Sequence, residues 1–80
     1  MKIHLNFIAL EVEHLPADGK DELVLEEGAS LSDALKVLDI AAIGSYLTLL
    51  NDASIPITMR DDTRLTDGDT LTLFSPIKGG

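Results

Sequence analysis

The stretch that decides the reading is the end of the chain, Leu65 to Gly80, LTDGDTLTLFSPIKGG. Leu65 to Asp69 is a tight turn in which Gly68 supplies a backbone angle awkward for residues with a side chain. Thr70 to Phe74 then alternates as a short strand, with Leu71 and Leu73 on one face and Phe74 on the other. Pro76 restricts its own φ and holds Ser75 extended, so the chain leaves that strand pointing outward. It finishes on Gly79 and Gly80, which have no Cβ and fit a narrow channel. Such an end is either frayed or made to be handed to another protein.

Working outward, the first strand is expected over Lys2 to Ala9. Ile3, Leu5 and Phe7 fall on one face and Lys2, His4 and Asn6 on the other, and Ile8 breaks the pattern as an apolar residue among polar ones. Glu11 to Gly19 carries Pro16 and Asp18-Gly19 and reads as a turn. A second strand follows over Asp21 to Glu27, closing a hairpin. Ser30 is placed to cap a helix, with Asp33 three residues on, and Leu31, Ala34, Leu35 and Leu38 form the buried stripe. The helix should stop near Asp39 or Ile40. Ser45 to Asn51 is expected as a third strand and Asn51-Asp52 as a turn. Ile55-Pro56-Ile57 is expected as a short extended piece on a sheet edge, because proline cannot donate to a ladder. Asp61 to Arg64 is polar and irregular.

Eighty residues make one domain, residues 1–80, with 75–80 as an extended tail. Fourteen Leu, seven Ile and three Val against two Phe and no Trp call for an aliphatic core. There is no Cys, which excludes a disulfide scaffold, a thiolate zinc site and a thiol nucleophile in this chain and suits a cytoplasmic location. No run of apolar residues is long enough for a membrane helix, and Met1 to His4 does not resemble a signal peptide. A net charge of −8 argues against nucleic acid as a partner, since phosphate contacts need Lys and Arg. It suits either plain solubility or a basic docking surface on another protein.

The order strand, strand, helix, strand, short strand, strand is that of an α+β β-grasp, a small mixed sheet with one main helix on one face. On this frame the L-T-D-G-D run, the apolar strand after it, and F-S-P-I-K-G-G resemble the C-terminal signature of the MoaD/ThiS sulfur carriers, which are ubiquitin-like. The central strand ending in Asn51 and the opening strand into Phe7-Ile8-Ala9 are also similar to that family. Ser75 stands where many molybdopterin-type members have proline, and Lys78 where a small residue is usual.

The resemblance implies a carrier rather than an enzyme, one able to serve as the small subunit of a molybdopterin synthase-type sulfurtransferase. It implies that a ubiquitin-activating-like adenylyltransferase uses ATP to adenylate the carboxylate of Gly80. A persulfide donor then converts it to a thiocarboxylate, and an acceptor enzyme such as a molybdopterin synthase large subunit receives the sulfur. No cofactor is expected on the chain itself. Thiamin thiazole formation, tRNA thiolation, isopeptide modification of other proteins and an inert tail stand as alternatives. Gly79, Lys78, Ile77 and Pro76 would thread the tail into a partner, and Lys78 is equally well a solvated side chain. Phe74 and Ile8 are expected at the partner interface, against the plainer reading that single exposed apolar residues are normal. His4 and His14 have no cluster around them and are expected on the surface, as are Glu26-Glu27 and Asp61-Asp62. No metal site is indicated.

Overall fold

In the computed structural model, which describes residues 1–10, 18–40 and 46–75, five strands form one sheet in the order β2-β1-β5-β3-β4. The strands are β1 (Lys2–Ile8), β2 (Gly19–Val24), β3 (Leu47–Leu50), β4 (Ala53–Ser54) and β5 (Thr70–Phe74), with helix α1 (Leu31–Leu38) between β2 and β3. β1 pairs antiparallel with β2 and parallel with β5, and β3 is antiparallel to both β5 and β4. The last strand in sequence is therefore the central strand in space, as a β-grasp requires.

Period-two patterning decides which face is buried. Ile3, Leu5 and Phe7 of β1 and Leu71 and Leu73 of β5 are within 2% of full burial, and they pack with Leu31, Ala34, Leu35 and Leu38 of α1. That is the helical stripe expected from the sequence. The helix starts where its cap was expected: the Asp33 N–H donates to the Ser30 hydroxyl (3.2 Å), and the Ser30 N–H donates to Asp33 Oδ2 (2.9 Å). The two hydrogen bonds satisfy donors that a helix N-terminus otherwise leaves unpaired. They also hold the Asp33 carboxyl below its ordinary pKa, the backbone bond first and the hydroxyl second. At the other end Asp39 turns left-handed, with φ 54, and ends the helix.

Four strands differ from their expected bounds. β1 stops at Ile8 because Ala9 adopts a positive φ of 52 while its N–H donates to Asp18 Oδ1 (2.6 Å). β2 begins two residues earlier than expected and ends at Val24, because its pairing with β1 runs from Phe7↔Gly19 to Lys2↔Val24. The edge strand is Ala53–Ser54 rather than Ile55-Pro56-Ile57. Asn51 and Asp52 both take positive φ (50 and 70), so the chain reverses in two residues and pairs at once. Pro56, without an N–H to extend a ladder, instead caps a 3-10 turn over Ile57–Met59. The expected strand over Ser45 to Asn51 is Leu47–Leu50, and Ser45 lies outside the described residues.

Candidate functional site

The two ends of β5 carry the two parts of the sequence signature. At its start the Asp67-Gly68-Asp69 turn is tied to β1 on one side: Lys2 N–H donates to Asp67 Oδ1 (2.7 Å), Gly68 N–H to Lys2 O (2.9 Å) and His4 N–H to Asp69 O (2.8 Å). Gly68 has φ 87, so the turn needs glycine there. On the other side Asn51 clasps the same point. Its Nδ2 donates to Asp69 Oδ1 (2.9 Å), its Oδ1 accepts from Thr70 N–H (2.9 Å), and its own N–H donates to Thr70 O (2.8 Å). Asp69 Oδ2 accepts from the Thr66 N–H (2.8 Å) and hydroxyl (2.9 Å). Burial pushes the Asp69 carboxyl up, but the bonds from Asn51 and Thr66 outweigh it and leave its pKa lowered.

At the far end, roughly 17 Å along the strand, the character changes. Ile8 is in register with Phe74, and Phe74 with Leu47, so three apolar side chains form a row across β1, β5 and β3. The row lies on the face opposite α1. Ile8 is 45% and Leu47 46% exposed, and Phe74 is half-buried between them. Leu49, one step along β3 on the same face, is also half-buried. Ser75 N–H donates to Ile8 O (3.3 Å) and carries the β1–β5 pairing one residue past the row. The structure thus brings Phe74 and Ile8 side by side. Pro76, Ile77, Lys78, Gly79 and Gly80 lie outside the described residues, and so does His14.

Leu47 and Leu49 escaped the sequence reading. Their signal was weak because Tyr46, Thr48 and Leu50 supply equally plausible inward residues at the other parity. Thr48 is in fact the buried one, its hydroxyl bonded to Ile55 O (3.0 Å). His4 stands on the open face beside Glu22, with Nδ1 3.5 Å from Oε2. Among the described residues no group of His, Asp and Glu is arranged to hold a metal ion, and no helix is long and apolar enough to cross a membrane.

The family model of the ThiS family matches residues 6–80. No curated protein matches the sequence closely enough to count as a relative. Among solved structures, a thiamine biosynthesis protein (ThiS) from Geobacter metallireducens is similar, with TM-score 0.71 at 19% identity. SAMP1 from Haloferax volcanii is similar with TM-score 0.73 at 17% identity. Each alignment covers 100% of both chains, and at these identities it speaks for the shared fold. With the family model spanning all but the first five residues, the chain belongs to the ThiS family of ubiquitin-like sulfur carriers.

Proposed function

We propose that the chain carries sulfur as a thiocarboxylate on Gly80 and delivers it in the active site of an acceptor enzyme, with the open face of the sheet as its docking surface. The observation that carries this reading is the row Ile8–Phe74–Leu47, covered by no described element and set immediately before the 75–80 tail. Apolar side chains left in water forgo about 25 cal/mol per Å² of burial, and a contiguous group of them marks an interface more often than scattered ones do. Five residues follow Ser75, enough to reach at most about 17 Å when extended. A partner bound on the open face therefore has Gly80 within reach of a nearby active site.

The chemistry belongs to the partners. A carboxylate is a poor acyl donor until one oxygen is made a leaving group. An adenylyltransferase joins the Gly80 carboxylate to the α-phosphate of ATP and releases pyrophosphate; the outer sulfur of a persulfide then displaces AMP to give an acyl disulfide, and a thiol of the partner cleaves its S–S bond, leaving the thiocarboxylate on Gly80 and a disulfide on the donor side. The chain contributes the slender terminus and the docking face, and it needs no cofactor of its own. The acceptor we favour is the pterin precursor of the molybdenum or tungsten cofactor. Thiazole assembly is a second reading, favoured by the ThiS family model and by the Geobacter protein described as a thiamine biosynthesis protein.

The test is reconstitution with the adenylyltransferase of the same genome, ATP and a sulfide source. Intact-mass measurement should show one oxygen replaced by sulfur on Gly80 and no change in a chain lacking Gly80. A mass left unaltered by every such enzyme of that genome would sink the proposal. Deleting the gene separates the two acceptors: loss of molybdoenzyme activity supports the first, and a thiamin requirement the second.

A further inference from the structure

Beside the apolar row, the same face sinks into an open concavity of about 600 Å³ between β1 and β2, lined by His4, Asn6, Lys20, Glu22 and Thr70, with Leu5 and Asp21 contributing from the opposite parity. Its two carboxylates each have a partner. Glu22 is shared between Lys2 Nζ (3.9 Å) and His4 Nδ1 (3.5 Å), and Asp21 Oδ1 accepts from the Glu22 N–H (2.8 Å). Among the described residues the Lys20 ammonium, the Asn6 amide and the Thr70 hydroxyl have no side-chain partner. Lys20 pairs with Asn6, and Asn6 with Thr72, in the row next to Ile8–Phe74–Leu47, so the concavity is continuous with the docking surface.

A recess whose carboxylates already have partners and whose Lys20 ammonium has none is suited to an acceptor that brings negative charge. We propose that it receives a carboxylate side chain of the docked protein, held by the Lys20 ammonium with Asn6 and Thr70 beside it, and that Lys20 sets specificity in docking. This rests on the reading of the open face as the docking surface. A side chain of a bound protein fits better than a free phosphate. The N–H groups of β1 are taken up in pairing with β2 and β5 and the Glu22 N–H is bonded to Asp21, and among the described residues lining the recess Lys20 is the one cation without a carboxylate partner. The inference reverses the sign suggested by the net charge of −8. The excess acid of the chain does not make its docking face acidic, and the complementary spot on the partner is acidic.

The experiment uses the full chain and the adenylyltransferase of the same genome, with pyrophosphate exchange as readout. Lys20→Glu should raise KM for the carrier at least about tenfold with kcat unchanged, and Lys20→Arg should restore it. The wild-type KM should climb with salt more steeply than that of Lys20→Gln. An Asp→Lys or Glu→Lys change on the adenylyltransferase should rescue Lys20→Glu. Thermal unfolding of each variant should match the wild type, because Lys20 is exposed on an edge strand. Unchanged KM and salt dependence in Lys20→Glu would overturn the inference, while a raised KM in Phe74→Asp in the same assay would leave the docking reading intact. No effect of either variant would remove both. Inorganic phosphate that shifts Asn6 and Thr70 amide resonances and competes with the enzyme would reassign the recess to a free anion.

Discussion

The beginning and end of β5 are built on opposite principles. At the beginning, hydrogen bonds converge from three directions on Asp67, Gly68 and Asp69, and Asn51 closes the arrangement. At the end, Phe74 lies with Ile8 and Leu47 on a face that no described element covers. The D-G-D turn is thus the architectural half of the signature, at the opposite end of β5 from the apolar row. A strand pinned at one end by polar bonds, and in its middle by buried Leu71 and Leu73, presents its other end in one register. A slip of one residue would turn Phe74 inward.

The largest expected effect separates the two ends directly. Phe74→Asp, compared with Leu47→Asp, should weaken binding of the adenylyltransferase by about 2 kcal/mol or more, measured by titration calorimetry, and move the unfolding midpoint far less. A variant that unfolds instead would show the row to be part of the stabilising core. Next comes Asn51→Ala, which removes both clasp bonds and a residue tolerant of positive φ. It should cost about 1–2 kcal/mol of stability in urea unfolding and leave docking of the folded fraction unaltered.

The acid response of the clasp is smaller. The lowered pKa of Asp69 means that its contribution is fully present above its unfolded value of 3.8 and is lost as pH falls through the lower folded value. Asp69→Asn should therefore be less stable at neutral pH and show a flatter loss of stability below about pH 4. Asp33 follows the same sign, so a Ser30→Ala change should flatten the acid limb in the same direction while losing about 1 kcal/mol of helix capping. Smallest of all is the coupling between ends. In the double variant Asn51→Ala with Phe74→Asp the stability losses should add to within about 0.5 kcal/mol, and a larger discrepancy would show that clasp and row communicate.

Much of this was legible because strand parity and helical spacing report burial directly. Ile8 and Phe74 stood out as apolar residues at polar parity, and Ser30 with Asp33 announced the helix. The β3–β4 region was legible only in part. In S-Y-L-T-L-L-N both parities offer large apolar residues, so the pattern could not say that Thr48 faces in and Leu47 out. The Asn51-Asp52 turn was legible, but its two left-handed residues let the ladder resume at once, so the edge strand is Ala53–Ser54 and not the extended piece expected around Pro56. The recess by Lys20 was hidden for another reason. Lys20, Asn6 and Thr70 come from three strands and meet only through the pairing register.

The central position of β5 has a mechanical consequence. A partner that grips the C-terminus and pulls along the strand loads the parallel β1–β5 bonds and the antiparallel β3–β5 bonds together, in shear rather than one at a time. The domain should behave as an anchor for its own tether, resisting tension that would unzip a terminal strand placed on the rim of the sheet. Force applied to that tether would then be borne by the whole sheet.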